Sequence, residues 1–596
     1  MQNAVHYTII PKDLAAHLYE VSLTVIHPDP AGQIFSLPAW IPGSYMIREF
    51  ARNIVQISAE SGGKKIALKK RDKHTWVAAP TASPLILRYE VYAWDLSVRA
   101  AHLDQTHGFY NGTSVFLSVE GQEHLPHTVD IQRPDHPECK KWRVATSLPD
   151  LKAKRYGFGT YIASDYDELI DHPVEMGDFA LGTFKAHGIS HDVVITGRVP
   201  KLDMERLTTD LQKICATQIA FFEPIKKRAP MDRYVFMTMA IGDGHGGLEH
   251  RASTALVCPR SQLPVKGQAK MSDAYQSYLG LCSHEYFHTW NVKRIKPAVF
   301  APYALSAETH TPILWLFEGC TSYYEDLMLV RSGIIDEAGY FKLLTTSING
   351  LLRGTGRRKQ SVADSSFDAW TKYYRQDENS PNAIVSYYTK GALIGLSLDL
   401  TIRSQTKGKK SLDDVMRALW QRYGRDFYSA KGGQGVTPEG VENLFEEISG
   451  LSLKREMARW LRGTEELPLA QLLSEFAVRM AAPAEALAPS FGVRTTREGN
   501  DCKLANVFEK GAAHRAGMSA GDVLLAVDGL RVSATNLDTL IKSYQLGDKV
   551  HVHAFRRDEL MEFTLKLSAD TAPPVTLQTL EKPVAGLRLR QAWLGG

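Results

Sequence analysis

The sequence is poor in the features that would staple, anchor or charge it. Six cysteines are scattered through 596 residues with no C-x-x-C pair. Neither a disulfide framework nor a cysteine-built zinc finger is therefore expected, and reduced, buried thiols are. No apolar run approaches the length of a membrane span, and Met1 to Ile10 lacks a basic and then apolar leader pattern. A cytoplasmic protein without membrane contact is the expectation. Nor is there a surplus of one charge: 70 basic against 66 acidic residues leave +4, which gives no reason to invoke nucleic acid. No internal repeat is visible.

The chain is too long for one hydrophobic core, so several domains are expected. Residues 1–170 read as a β-sandwich-like domain. Tyr19, Val21, Leu23 and Val25 alternate with Glu20, Ser22 and Thr24, and Leu85, Leu87, Tyr89, Val91 and Ala93 repeat the pattern. Residues 171–480 read as an α+β catalytic-type domain with a helical second half. Leu207, Leu211, Ile214, Cys215, Gln218 and Phe222 fall at helical spacing with one polar member, and an apolar β run follows from Arg233 to Ile241. Helices are expected from about Asp273 onward, including Gly391 to Arg403 and Gly440 to Leu461. An Ala/Pro-rich stretch from Ala481 to Ser490 reads as a linker. Beyond it lies a compact unit at 488–570, then a tail at 571–596 with no readable motif.

The chemistry centres on His284-Glu285-Tyr286-Phe287-His288. Histidines four apart on a helix share one face and can reach the same Zn²⁺, while Glu285 can serve as general base toward a water in the open fourth position. Downstream, Glu318 stands among apolar and aromatic residues in Trp315-Leu316-Phe317-Glu318-Gly319. A carboxylate so placed needs a counter-charge, which zinc would supply and a core salt bridge would equally supply. Gly244-His245-Gly246-Gly247-Leu248-Glu249-His250 follows the β run. Its glycines let a peptide backbone approach, and Glu249 could pair with a substrate ammonium; the rival reading makes His245 and His250 ligands of a second metal. Tyr387-Tyr388-Thr389-Lys390-Gly391 offers a phenol for an oxyanion, or two core tyrosines.

Together these segments resemble the gluzincin aminopeptidases and, more closely, the glycyl aminopeptidase family of PDZ-containing metallopeptidases. The block His284 to Arg294 carries the likeness most strongly. Pro42-Gly43-Ser44-Tyr45, Arg48 to Asn53 and Pro173-Val174-Glu175-Met176-Gly177 extend it into the N-terminal half. The resemblance implies a thermolysin-like catalytic domain in which His284, His288 and Glu318 bind zinc and Glu285 is the base. It makes Gly246, Gly247, Leu248 and Glu249 the exopeptidase segment, which reads Gly-Ala-Met-Glu-Asn in the broader group and has His250 here instead of Asn. Tyr388 matches the tyrosine of a Tyr-x-Lys-Gly pattern, with Tyr387 its adjacent rival. Glu175 is a candidate for the amine pocket, with a structural role as its rival. The family's preference for N-terminal glycine, then alanine, comes with the resemblance.

Residues Phe491 to Leu567 resemble a bacterial-type PDZ domain, through Gly511-Ala512-Ala513, Ala516-Gly517-Met518, Gly521-Asp522 and Val527-Asp528-Gly529. Such domains take an extended peptide by strand addition, or serve only for packing. The substrates implied are peptides with a free N-terminus. Two rivals stand beside this reading: a zinc endopeptidase whose PDZ domain recruits protein C-termini, and a non-catalytic peptide-binding scaffold.

Overall fold

The computed structural model describes residues 4–429, 432–482, 488–570 and 573–595. The middle of the expected linker, 483–487, and the first two residues of the expected tail lie outside them. Two compact units are distinguished: Met1–Thr309 with Ser332–Ile334 and Leu419–Val436, and His310–Arg331 with Ile335–Ala418 and Thr437–Gly596.

In the first unit the alternating patterns become strands of a seven-stranded sheet. Leu18–Val25 lies between Val5–Asp13 and Leu85–Tyr92. Tyr19, Val21, Leu23 and Val25 are fully buried, as are Leu85 and Leu87, because side chains of a strand alternate between faces. Two four-stranded sheets complete this β region. A five-stranded sheet follows, in the order Ala180–Ala186, Ile189–Thr196, Arg233–Ile241, Ser253–Pro259, Gly246–Glu249. Its three inner strands are parallel, and Gly246–Glu249 closes one edge antiparallel to Ser253–Pro259. The helix Met204–Phe222 packs against the helix Asp273–Phe287, which carries the His-Glu-x-x-His motif. The one polar residue on its apolar stripe explains itself here. Buried Gln218 donates its amide to the Ser283 carbonyl at 2.9 Å and to Ser283 Oγ at 3.0 Å, which fixes the motif helix beside it.

The second unit is helical with a β module at its end. Thr389–Gln405 is the expected apolar helix and is buried along nearly its whole length. The single helix expected from Gly440 to Leu461 is instead Pro438–Ser449, followed by Lys454–Met457 and a π-helical turn at Ala458–Arg462. Gly450 breaks it: the residue caps the first helix at φ 72°, a left-handed conformation that glycine adopts at little cost. The C-terminal module is a six-stranded sheet with its own core around Leu504, Leu524, Val550, Val552 and Leu565. Asp528 and Gly529, at φ 47° and 75°, form the tight turn expected between Val523–Val527 and Leu530–Arg531.

From 573 to 595 the tail packs against the rest of the second unit rather than standing as an appendage. Thr576–Thr579 pairs with Val478–Ala481, and the helix Val584–Gly595 delivers Trp593 into the helical core. The Trp593 indole donates to the Tyr323 hydroxyl at 2.8 Å, and that hydroxyl donates to Asp399 at 2.7 Å. All six cysteines are free and buried, as expected. Among the described residues no helix is long and apolar enough to cross a membrane.

Candidate active site

The motif helix begins at Ser272, whose hydroxyl accepts from the Tyr275 amide at 3.1 Å, satisfying one orphan donor of the first turn. It runs Asp273–Phe287 and ends at His288. Helical spacing then brings the two imidazoles together, with ring centroids 4.6 Å apart and nearly perpendicular at 82°. His288 donates from Nδ1 to the Asn291 carbonyl at 2.8 Å, which leaves Nε2 as the lone-pair atom a metal requires. His284, Glu285 and His288 are all buried.

Directly after the helix the backbone is strained. Val292, a β-branched residue, stands at φ 103°, a region such residues avoid. Hydrogen bonds hold it there, from Val292 to the Ile295 carbonyl and from Lys293 to the His288 carbonyl. The turn plants a run of buried cations. Lys293 Nζ lies 2.7 Å from Asp171, which also receives His250 Nδ1 at 3.1 Å and Arg251 Nε at 3.2 Å. Burial alone would raise the Asp171 pKa, but Lys293, His250 and Arg251 overcome it and hold the carboxyl well below its ordinary value. Burial pushes Lys296 down to about 8, and its ammonium lies over the Tyr303 and Phe427 rings.

Asp171 therefore ties the end of the motif helix to His250 and Arg251, which follow Glu249. Sequence reasoning missed this residue; the signal was the cationic run Lys293-Arg294-x-Lys296, since buried cations must find a partner. Asp171→Asn is expected to destabilise the protein by ~3–5 kcal/mol, because it leaves Lys293 and Arg251 buried against a neutral amide. A depressed carboxylate pKa contributes stability above the unfolded-state value and loses it as pH falls through the folded-state value. The wild-type advantage over the variant should accordingly shrink below about pH 4. Denaturant titrations of both proteins across that range check it.

The strand Gly246–Glu249 faces the motif helix with alternate residues. A Cβ on Gly247 would fall 2.1 Å from Glu285 Oε1, so any side chain there would push that carboxylate aside. Two residues on, and thus on the same face, Glu249 is buried, with a carboxylate oxygen within 4.8 Å of donor atoms of Glu285 and His288. Leu248 points the other way, into the hydrophobic core of the N-terminal sheets. Its expected place in substrate binding is corrected to this extent: only its backbone is available, because its side chain is core. From the N-terminal region Gly43, at φ 97°, packs so tightly on Glu249 that a Cβ would meet its carboxylate oxygens at 2.5 and 2.6 Å. The Pro42-Gly43-Ser44-Tyr45 segment thus helps enclose Glu249, a placement nothing local in the sequence indicates.

Glu318 is buried in a π-helical turn, Trp315–Gly319, that leads into the helix Cys320–Arg331; such turns recur at functional sites. Gly319 and Gly391 meet backbone to backbone, and a Cβ on Gly319 would lie 2.6 Å from the Gly391 Cα and 2.7 Å from the Tyr387 carbonyl. This contact seats the Glu318 turn against the Tyr387–Gly391 segment. The two tyrosines separate by burial. Tyr387 is fully buried and packs against Tyr373 with centroids 4.8 Å apart and the rings tilted at 53°. Tyr388 is half-buried, its hydroxyl 3.3 Å from that of Tyr374. Lys390 of the same pattern is buried, its ammonium 3.4 Å from the Arg357 carbonyl.

Within the first unit, two groups of histidine and carboxylate side chains among the described residues have donor atoms all within 4.8 Å of one another: Glu249, Glu285 and His288; and His102, Asp104 and His107. Two imidazoles and a carboxylate, the types of His284, His288 and Glu318, make an N₂O donor set of the kind that holds zinc with one position open. The rival pairing of His245 with His250 finds no support. His245 is exposed beside Gln262, and His250 is buried on Asp171. The Glu175 carboxylate accepts from Thr196 at 2.9 Å and lies 3.2 Å from His107 Nδ1.

The chain also resembles known families and solved structures. The Peptidase M61 N-terminal domain profile matches residues 6–178, the M61 glycyl aminopeptidase profile 277–394, and the PDZ domain profile 489–567. The crystal structure of an aminopeptidase N family protein from Idiomarina loihiensis is 41% identical, with a TM-score of 0.94 over 99% of this chain and 100% of that one. An M1 zinc metallopeptidase from Deinococcus radiodurans, in a mutant bound to a Tyr-Ser-Ala substrate, is 13% identical over 78% of this chain and 94% of that one, at a TM-score of 0.46. A comparison with curated proteins returned no match.

Proposed function

The chain belongs to the M61 glycyl aminopeptidase family, and from that premise we propose that it is a zinc aminopeptidase removing small N-terminal residues, glycine and then alanine, from peptides. The observation that carries the reading is the grouping of Glu249 with Glu285 and His288. It sets a buried anion, suited to an α-ammonium, beside the acid–base carboxylate.

His284, His288 and Glu318 are the proposed ligands. Bound zinc supplies Lewis acidity for the scissile carbonyl and makes water a usable nucleophile near neutral pH. The remaining work falls to the chain. Glu285 takes the proton of the attacking water and returns it to the leaving amine. Tyr388 donates its phenolic hydrogen bond where negative charge develops on the former carbonyl oxygen. Glu249 binds the substrate ammonium, so that the first peptide bond alone comes into register with Glu285. Gly247 keeps the strand close enough for this and offers its backbone to the peptide. The preference for glycine and alanine follows the family resemblance.

A panel of aminoacyl-nitroanilides, with N-acetylated peptides beside them and each assayed with and without a chelator, tests the proposal. The expected result is turnover of the glycyl and alanyl compounds, its loss in chelator and its return with zinc. Cleavage of the acetylated peptides as fast as of the free ones would instead mark an endopeptidase, and no chelator-sensitive cleavage of any substrate a scaffold.

A further inference from the structure

Away from the proposed active site, the N-terminal region holds a second set of metal-type donors that the aminopeptidase reading does not use. The strands Ala101–Leu103 and His107–Tyr110 form a hairpin, and Val174–Gly177 pairs with the second of them. The turn Asp104-Gln105-Thr106 is held by Asp104 Oδ1, which accepts from the Thr106 amide and hydroxyl at 2.6 Å each and from the His107 amide at 3.1 Å. That leaves Oδ2 pointing back to His102, 3.4 Å from its Nε2.

The two histidines are 4% and 1% exposed, and their rings stack with centroids 4.9 Å apart. His107 Nδ1 lies 3.2 Å from the Glu175 carboxylate, while His107 Nε2 is buried with no hydrogen-bond partner, as is His102 Nδ1. An imidazole nitrogen buried without a partner is costly. At His107 Nε2 the cost has a chemical explanation. An imidazole that donates from one nitrogen to a carboxylate presents the other as a lone pair, the arrangement in which metal-ligating histidines are normally held.

We propose that His102, Asp104 and His107 form a second divalent-cation site of the zinc class, with Glu175 as the carboxylate that orients His107. The donor atoms of the three already lie within 4.8 Å of one another. Donors of a tetrahedral zinc with bonds near 2.0–2.1 Å stand about 3.3 Å apart, close to the 3.4 Å between His102 Nε2 and Asp104 Oδ2, and the unpartnered His107 Nε2 is the third donor. Two imidazoles with a carboxylate suit zinc better than calcium or magnesium, which prefer all-oxygen shells. The Asp104 side chain is 28% exposed, so the ion has a way in. The site also gives Glu175 a role, as a positioning group for a ligand.

The test is a metal count on the full-length protein, stripped by chelation and then equilibrated with saturating buffered free zinc. Two equivalents per chain are expected. His102→Asn should bring the count to one while glycyl-nitroanilide turnover stays within two-fold of wild type. His284→Ala should also bring it to one, with turnover lost. Asp104→Asn, at a half-exposed position with little risk to folding, should weaken the second equivalent by tenfold or more in competition with a chelating indicator. A wild-type count of one that His284→Ala abolishes would overturn the second site and leave the catalytic reading intact. A count of two that neither His102→Asn nor Asp104→Asn changes would overturn it as well.

Discussion

Replacing Glu285 with glutamine should lower kcat by about 100- to 10,000-fold, the range general acid–base groups supply, while zinc content and thermal stability stay at wild-type values. Glutamine keeps the shape of the side chain and still packs against Gly247, so neither the helix nor the histidines need move. What it loses is the capacity to take a proton from water and hand it to the departing amine. The two roles fall on one atom pair, so the loss should appear in kcat far more than in KM. Turnover of glycyl-nitroanilide, measured beside a metal count on the same preparation, decides it; an active glutamine variant would remove Glu285 from the mechanism. Gly247→Ala gives an independent check of the same geometry. Its methyl would fall 2.1 Å from Glu285 Oε1, so a substitution that touches no titratable group should also depress kcat.

Much of this site was legible because its parts are local. Histidines four apart declare a shared helix face. Glu318 stood out as a carboxylate in an apolar, aromatic run, and Gly-Gly-Leu-Glu as a permissive strand end. The Asp528-Gly529 turn was likewise written in two residues that tolerate positive φ. What escaped depends on contacts that leave no local period. Gly43 meets Glu249 across some two hundred residues of sequence, and Trp593 reaches Tyr323 across 270. Asp171 is one acid among many until three buried cationic or imidazole groups are seen to converge on it. The neighbours Tyr387 and Tyr388 share every local property, and only burial separates them. Leu248 adjoins Glu249 in the sequence, yet strand alternation sends its side chain to the core.

Glu249→Ala should separate substrates by their N-termini, and this selectivity bears most directly on exopeptidase action. The wild-type carboxylate is 4% exposed and enclosed by Gly43, so an ammonium bound there is screened little by water. Truncating one partner of such a buried charge pair costs about 3–4 kcal/mol, which corresponds to a fall of roughly 100- to 1,000-fold in kcat/KM for glycyl and alanyl nitroanilides. N-acetylated peptides carry no ammonium, so their slow background hydrolysis should change by less than about threefold on the same scale. Gly43→Ala should reproduce the pattern in weaker form, since its methyl would crowd the Glu249 oxygens at 2.5 and 2.6 Å without touching Glu285. If Glu249→Ala instead slowed both substrate classes equally, the carboxylate would be acting through Glu285 or His288, and the reading of N-termini would have to reside elsewhere. A selective loss means that the distance from Glu249 to Glu285 measures out one residue of substrate, and that spacing is what makes the enzyme an aminopeptidase.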